Sequence, residues 1–508
     1  MPPAPVYIAG AALTSFGKLD TPLVDLLAQA AGAALQEAGL SKVDSVYVGV
    51  MNAEEFTGEG NLAVALADRL GISGAASSRV ETASSTGAGA LETAFFAVAS
   101  GYRKHALVVA GEKMTGLSTS QTTRILAEVI AGRERAYGAS MPALAALIAG
   151  AYAEAHGLDR KTLSRVLCRV AMKNHARGAL NPYAQFQKEL SQEKYYASPL
   201  VADPLRVFDC APITDGAAAV VLSSQNGLVR LAGMGHATDS AEVARRGSLI
   251  SFNSTRQAAM QAYAMASVNP EDVDFAEVHD AFTMFEVIGS EDLGFFAPGR
   301  GWRAVLDGET SAEGRIPINP SGGLKARGHP VGASGLAQVV EAFWLLVGKV
   351  DPKRRLAREP QVALTQSIGG LGNNNLVTIL VPASRPLYPA APWQSSFTPV
   401  IHPPRPAPSA QLPKEISGRL LSATLLQRPP EGFPAPLGLG LAETSQGWAT
   451  LAHFNGEEPP RPGASVSLTL AENGLYRLKA EKSLERPLRP FRRWIRRLKG
   501  ALGAYRDE

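Results

Sequence analysis

From Val6 to about Ala383 short β-branched runs, "VYIAG", "DSVYVGV", "HALVVAG" and "AAAVVLSS", alternate with stretches whose apolar residues recur at helical spacing, such as Leu23–Glu37. This rhythm predicts an α/β architecture. A second cycle opens after "LVRLAGMGHATDS", with a helix at Thr255–Ala266, a strand in "VDFAEVHDAF", a helix after Gly335 and strands in "QVALTQSIGG" and "NNLVTILV". The two halves read as loose copies. In each, a loop of small residues opens a long apolar helix, at Ser84–Val98 and at Ala333–Leu346.

The pattern changes at Ser384. The stretch "RPLYPAAPWQSSFTPVIHPPRPAPSAQLP" is too rich in proline for helix or central strand and predicts an extended tether. Beyond it, "GRLLSATLLQRPP", "APLGLGLAETSQGWATLAHFNG" and "ASVSLTLAENGLYRLKAEK" alternate apolar and polar residues between Gly/Asn turns, which predicts a small five-stranded barrel. In the tail Phe491, Trp494, Ile495, Leu498 and Leu502 share one helical face, surrounded by Arg492, Arg493, Arg496, Arg497 and Lys499. The expected division is an N-terminal half at 1–245 with a loop domain at about 115–200, and a C-terminal half at 246–383. A proline-rich linker at 384–413, the barrel at 414–482 and the basic amphipathic tail at 483–508 follow.

Composition narrows the partners. The 508 residues carry a net charge of +4, but residues 483–508 alone hold +5, leaving the remainder at −1. Any attraction to a membrane surface or polyanion therefore belongs to the tail, and nucleic-acid binding is disfavoured because the barrel lacks a dense basic and aromatic platform. The only cysteines, Cys168 and Cys210, form no CxxC pair, so neither a zinc site nor a disulfide framework is expected, and a reducing cytoplasm fits. Met1 is followed by prolines rather than a basic segment with an apolar core, and no apolar run approaches the ~20 residues of a membrane helix.

Candidate chemistry sits in four loops. "VETASSTG" places Ser84 and Ser85 at the start of a helix, where small residues either allow close packing or aim a nucleophile and free N–H groups at a substrate. "FAEVHDAF" ends a buried strand with His279 and Asp280, followed by Ala281. "NPSGGLKARGHPVGASG" sets His329 between glycines and a proline, and "TQSIGGLGNNN" supplies backbone N–H groups at Gly369 and Gly370 able to hold an oxyanion.

Six segments in order, "VETASSTG", "AMKNHARGALNPYAQF", "DPLRVFDCAPITDGAAAVVL", "VHDAF", "IPINPSGGLKARGHPVGASGLAQ" and "GGLGNNN", resemble the thiolase superfamily, closest to its sterol-carrier-type members. The resemblance covers about three quarters of the chain. It implies an α/β thiolase fold: two βαβαβαββ halves in five layers, usually dimeric, with an acyl-CoA tunnel ending at four catalytic loops. The C-terminal segment resembles the OB-fold domain that accompanies such thiolases. The resemblance further implies catalytic roles for His329 and His279, with Asp280 beside them, and an oxyanion pocket at Gly369, Gly370, Ser85 and Ala281. Contacts to coenzyme A would come from Asn174, His175, Ser321 and Gly322.

Where the family places its nucleophilic cysteine this chain has Ser84, and where sterol-carrier-type relatives carry a second cysteine it has Ala281. A serine hydroxyl is much harder to ionise than a thiol at a helix N-terminus. The expected function is therefore acyl-CoA binding with action on a carbon–carbon bond beside the thioester, by non-covalent retro-aldol chemistry. Two alternatives stay open: an acetyl-CoA acyltransferase using Ser84, and a catalytically silent acyl-CoA-binding scaffold. The expected partners are an acyl-CoA substrate, a second copy of the chain, and an enoyl-CoA hydratase-like or other acyl-CoA enzyme, with no metal and no covalently bound cofactor.

Overall fold

The computed structural model describes residues 4–386, 396–408 and 410–480. The basic tail and part of the proline-rich stretch fall outside the described residues. Nine strands form one mixed sheet in the order Ala76–Val80, Ser45–Gly49, His105–Glu112, Gly216–Ser223, Tyr7–Leu13, Val229–Thr238, Asn374–Pro382, Ala363–Gly369 and Phe275–Glu277. The first five form one repeat, and the last four form the other, which begins at strand Val229–Thr238, before the expected boundary at 245. They join where Tyr7 and Ile8 pair with Arg230 and Val229.

The halves repeat one plan: two parallel neighbours followed by two antiparallel ones. The outermost strand of the first half has only a vestige in the second, where Ile318 makes a single bridge to Ala276. The chain there must turn at once into the loop carrying Asn319 to His329, which leaves no length for a full strand.

Burial explains the layering. Helix Leu23–Ala38 puts Leu26, Leu27, Ala30 and Ala34 against one face of the first half's strands. Helices Thr86–Ala99 and Ser334–Leu346, apolar on nearly every side, lie together in a central core, as all-round hydrophobicity demands. Helix Asn253–Ala266 covers the outer face of the second half. It lies so close to strand Val229–Thr238 that a methyl at Gly235 would sit 2.0 Å from the Ala258 carbonyl oxygen. The result is the five-layered α/β arrangement.

The barrel is closed. Strand Glu415–Leu426 pairs with both Leu437–Thr444 and Ser465–Leu470, and Ala449–Phe454 and Tyr476–Ala480 complete the circuit. It is no pendant module, because Leu426 also pairs with Ala202 of the short strand Leu200–Ala202. Helix Met141–His156 crosses it at Gly150, where a methyl would meet the Ser422 hydroxyl at 2.6 Å. The described part of the proline-rich stretch is pinned as well: the His402 backbone exchanges hydrogen bonds with the Asn253 amide at 2.7 and 3.1 Å.

Candidate active site

Four loops converge. The first begins with Ala83, held at φ +55°, a conformation that costs a non-glycine residue energy and marks a constrained turn. Ser84 follows, 6% exposed, just before helix Thr86–Ala99. The hydrogen bonds of this turn run through its neighbours: the Ser85 hydroxyl donates to Thr82 O at 2.6 Å, and the Thr82 N–H donates to the Thr86 hydroxyl at 2.9 Å.

The glycine turn lies against it. A methyl at Gly369 would come within 2.5 Å of Thr82 O and 2.7 Å of Ser85 Oγ, so only glycine lets the two turns meet. Gly370 and Gly372 take φ +58° and +96°, which glycine adopts freely.

His279 and His329 come from different loops, and their rings stand edge to face with centroids 5.1 Å apart. His279 is buried, His329 is half-buried, and both are held neutral. Burial first, then the neighbouring Arg327 and Lys325, press the His329 pKa down to about 3, and burial together with His329 lowers His279 well below the ordinary histidine range. His329 is placed by its backbone N–H on the Thr214 hydroxyl at 2.9 Å and by Nδ1 at 2.7 Å from the Ser334 hydroxyl. That hydroxyl in turn donates to Pro330 O at 2.9 Å. A carbonyl only accepts, so the serine proton is committed there and His329 Nδ1 must carry a hydrogen, leaving a lone pair on Nε2. Nδ1 of His279 is buried without a hydrogen-bond partner.

Asp280 faces away from the rings. Its carboxylate accepts the Leu324 N–H at 2.6 Å and the Asn174 amide at 2.7 Å, and burial raises its pKa to about 6. Ala281 hands its carbonyl to the Ala211 N–H at 2.8 Å. Of the residues expected near coenzyme A, His175 lines a cavity of about 580 Å³ together with Gln185, Phe186, Lys188, Lys194 and Phe208. The other three turn elsewhere. Asn174 is committed to Asp280, Glu286 and Lys173, and the Ser321 hydroxyl donates to Glu277 at 2.6 Å. Gly322 packs on the backbone of Gly178. Gln185, on the wall of the cavity, accepts the Thr214 hydroxyl at 2.6 Å, and that hydroxyl accepts the His329 backbone N–H.

Of the two cysteines, Cys210 makes a β-bridge to Phe282 at the end of the His279 loop. Cys168 is in the core of helix Arg160–Gly178, and burial pushes the thiols of Cys168 and Cys210 up to about 11 and about 12. Among the described residues no three His, Cys, Asp or Glu side chains gather to hold a metal ion, and no helix is long and apolar enough to cross a membrane. Sequence reading missed Ser334, Thr214 and Gln185. Ser334 stands five residues after His329, where a hydrogen-bonded turn leading into helix Ser334–Leu346 returns it to the ring, and that spacing was the available signal.

Residues 6–226 match the thiolase N-terminal domain and residues 235–382 the thiolase C-terminal domain-like family. The chain belongs to the thiolase family. It is 36% identical over 384 residues to the acetyl-CoA acetyltransferase of Methanothermobacter thermautotrophicus, spanning 74% of this chain and 98% of that one. In fold it is similar to the Ltp2-ChsH2(DUF35) aldolase, with a TM-score of 0.65 and 24% identity over 75% of this chain and 99% of the other. A monomeric SCP2-thiolase-like protein type 1 from Mycobacterium smegmatis extends the likeness to 95% of this chain and 100% of its own, at a TM-score of 0.71 and 16% identity.

Proposed function

We propose that this protein binds an acyl-CoA thioester and cleaves the carbon–carbon bond beside it by a retro-aldol reaction, without a covalent enzyme intermediate. The observation that carries the reading is the pair of neutral, mutually perpendicular imidazoles, in a chain whose candidate nucleophile turn offers hydroxyls and no thiol. Ser84 stands where the family resemblance calls for the nucleophilic cysteine, and both thiols of this chain are held protonated by burial.

In this reading His329 Nε2, whose lone pair Ser334 keeps free, takes the proton from a 3-hydroxyl group. The C2–C3 bond breaks, its electron pair passes into an enolate of the thioester, and an aldehyde or ketone departs. The enolate oxygen is held by an N–H of the neutral His279 and by backbone N–H groups of the Ser84 and Gly370 turns, donors fixed before the charge develops. Protonation of the enolate carbon then releases a shortened acyl-CoA. The low His329 pKa keeps the base unprotonated at rest, and the growing enolate charge offsets its weakness as the proton moves.

The cavity beside His175 suits the pantetheine arm, with Phe186 and Phe208 as apolar walls and Lys188 and Lys194 as cations for the phosphates. Asn174, Asp280, Ser321 and Gly322 then shape the loops rather than touch the ligand. The resemblance to aldolases that work with an OB-fold partner supports a barrel carried in the same chain. One observation favours acyl transfer as a second reading: the constrained φ of Ala83 presents Ser84 at a helix N-terminus.

Mass spectrometry of protein and small molecules after incubation with 3-hydroxyacyl-CoA and 3-ketoacyl-CoA esters separates the readings. Carbonyl release with a shortened acyl-CoA and no adduct is the expected result. A Ser84 acyl adduct with free CoA would establish the acyltransferase, and esters that bind but return unchanged would leave a scaffold.

A further inference from the structure

Arg246 is 1% exposed, although a guanidinium is among the costliest groups to strip of water. Its Nη1 donates to the Leu371 carbonyl at 2.6 Å, inside the glycine turn of the site. That carbonyl belongs to a peptide flanked by glycines at positive φ, Gly370 on one side and Gly372 on the other. The N–H of this peptide, on Gly372, donates within the turn to the Gly369 carbonyl at 3.2 Å. Because glycine resists rotation less than any other residue, the charged donor that Arg246 brings from outside to the carbonyl adds to the hold on its orientation.

The anchor is itself held from the barrel side. Arg405, in the described part of the proline-rich stretch, donates from Nη1 to the Arg246 carbonyl and from its backbone N–H to the Arg245 carbonyl at 2.7 Å. Its Nε meets Glu443 of barrel strand Leu437–Thr444 at 3.3 Å. The apolar core follows the same route, because Leu439, Leu441 and Leu451 of the barrel share one cluster with Ile368 and Leu371.

We infer that Arg405 and Arg246 form a relay through which the barrel orients the glycine turn, making both of them positioning residues. Their consequence for catalysis rests on the acyl-CoA reading above, whereas the relay itself is read without substrate. Loss of the Arg405 contacts frees the Arg246 backbone, the Leu371 carbonyl loses its fixed donor, and the turn samples other peptide orientations.

The test is hydrogen–deuterium exchange of the peptide covering residues 366–376 in the full-length protein, with Arg405→Ala, Arg246→Met and the double exchange Arg405→Glu with Glu443→Arg. The single variants should raise exchange in the turn about tenfold, the scale of one charge-assisted hydrogen bond. The double exchange restores an ion pair between barrel and linker, and with it the melting temperature. A carboxylate at 405 cannot donate to the Arg246 carbonyl, so exchange in the turn should stay high. Wild-type exchange in folded Arg405→Ala, or its return in the double exchange, would overturn the relay. Where an ester is turned over, the single variants should lower kcat and leave KM in place. If the wild-type protein converts no ester, the acyl-CoA reading fails while the exchange result still decides the relay.

Discussion

Asp280 accepts the Leu324 N–H at 2.6 Å, one of several hydrogen bonds that tie together the two segments carrying the histidines. His279 precedes Asp280 in the chain, and Leu324 lies in the short helix Gly323–Ala326 just ahead of His329. Replacing the carboxylate by Asp280→Ala leaves the Leu324 N–H without its acceptor and the Asn174 amide with Glu286 alone, a cost of about 1–3 kcal/mol. Thermal unfolding should show that loss, and turnover of any accepted ester should fall further than stability alone explains. A variant that melts early yet keeps full specific activity would separate Asp280 from the histidines.

In the proposed reaction His329 works through the nitrogen that Ser334 leaves bare. Removing the imidazole by His329→Ala should cost about 10²–10⁴ in kcat, the usual range for a general base. Ser334→Ala removes only the group that enforces the tautomer, so a smaller loss, about tenfold, is expected from a population that now includes the wrong form. Equal rates for wild type and Ser334→Ala would sink the tautomer argument.

Glu112 gives a pH signature with a definite sign. Its carboxylate accepts the N–H groups of Met51 at 2.9 Å, Asn52 at 3.1 Å and Gly332 at 3.1 Å, yet burial wins and raises its pKa from 4.5 to about 7. The folded state therefore binds this proton more tightly than the unfolded chain does. Stability from Glu112 is complete below about pH 4.5 and is lost as pH rises to about 7. Glu112→Gln cannot ionise, so its melting temperature relative to wild type should climb from about pH 5 to about pH 7 and level off above that. A pH-independent difference would contradict the assignment.

Gly369→Ala tests the contact between the two turns. The added methyl must displace Thr82 or Ser85, a strain of about 1–3 kcal/mol, and it should push the oxyanion donors apart. Loss of turnover with little change in ester binding is the expected pattern in kcat and KM. Unaltered kcat would mean that the glycine turn does not hold the developing charge.

Much of this molecule was legible in the chain, and the gaps have physical causes. Periodicity found helices Leu23–Ala38 and Ser334–Leu346 nearly to the residue, because apolar spacing is what their burial selects. "VDFAEVHDAF" was read as one strand, but pairing covers only Phe275–Glu277, since the backbone must leave the sheet to deliver His279. Motif position told which loops meet and not which way side chains face, so Asn174 and Ser321 were expected at the ligand although each serves a buried carboxylate. Arg246 and Arg405 have no sequence signature. Both act on backbone carbonyls, which every residue possesses, and in composition they look like surface charge.

The pairing of Leu426 with Ala202 bears on what becomes of the protein if it is cut. The strands Leu200–Ala202 and Leu205–Arg206 form a hairpin whose outer rim is covered by the barrel, with the Gln427 N–H on Val201 O at 3.0 Å and the Asp203 N–H on Leu425 O at 3.2 Å. Proteolysis in the proline-rich stretch followed by departure of the barrel would bare that rim together with the apolar surface beneath it. Unpaired donors and acceptors next to exposed leucines are a template for other chains. A nicked protein would therefore stick to its own kind before it unfolded, and its loss in a cell would be counted as aggregate.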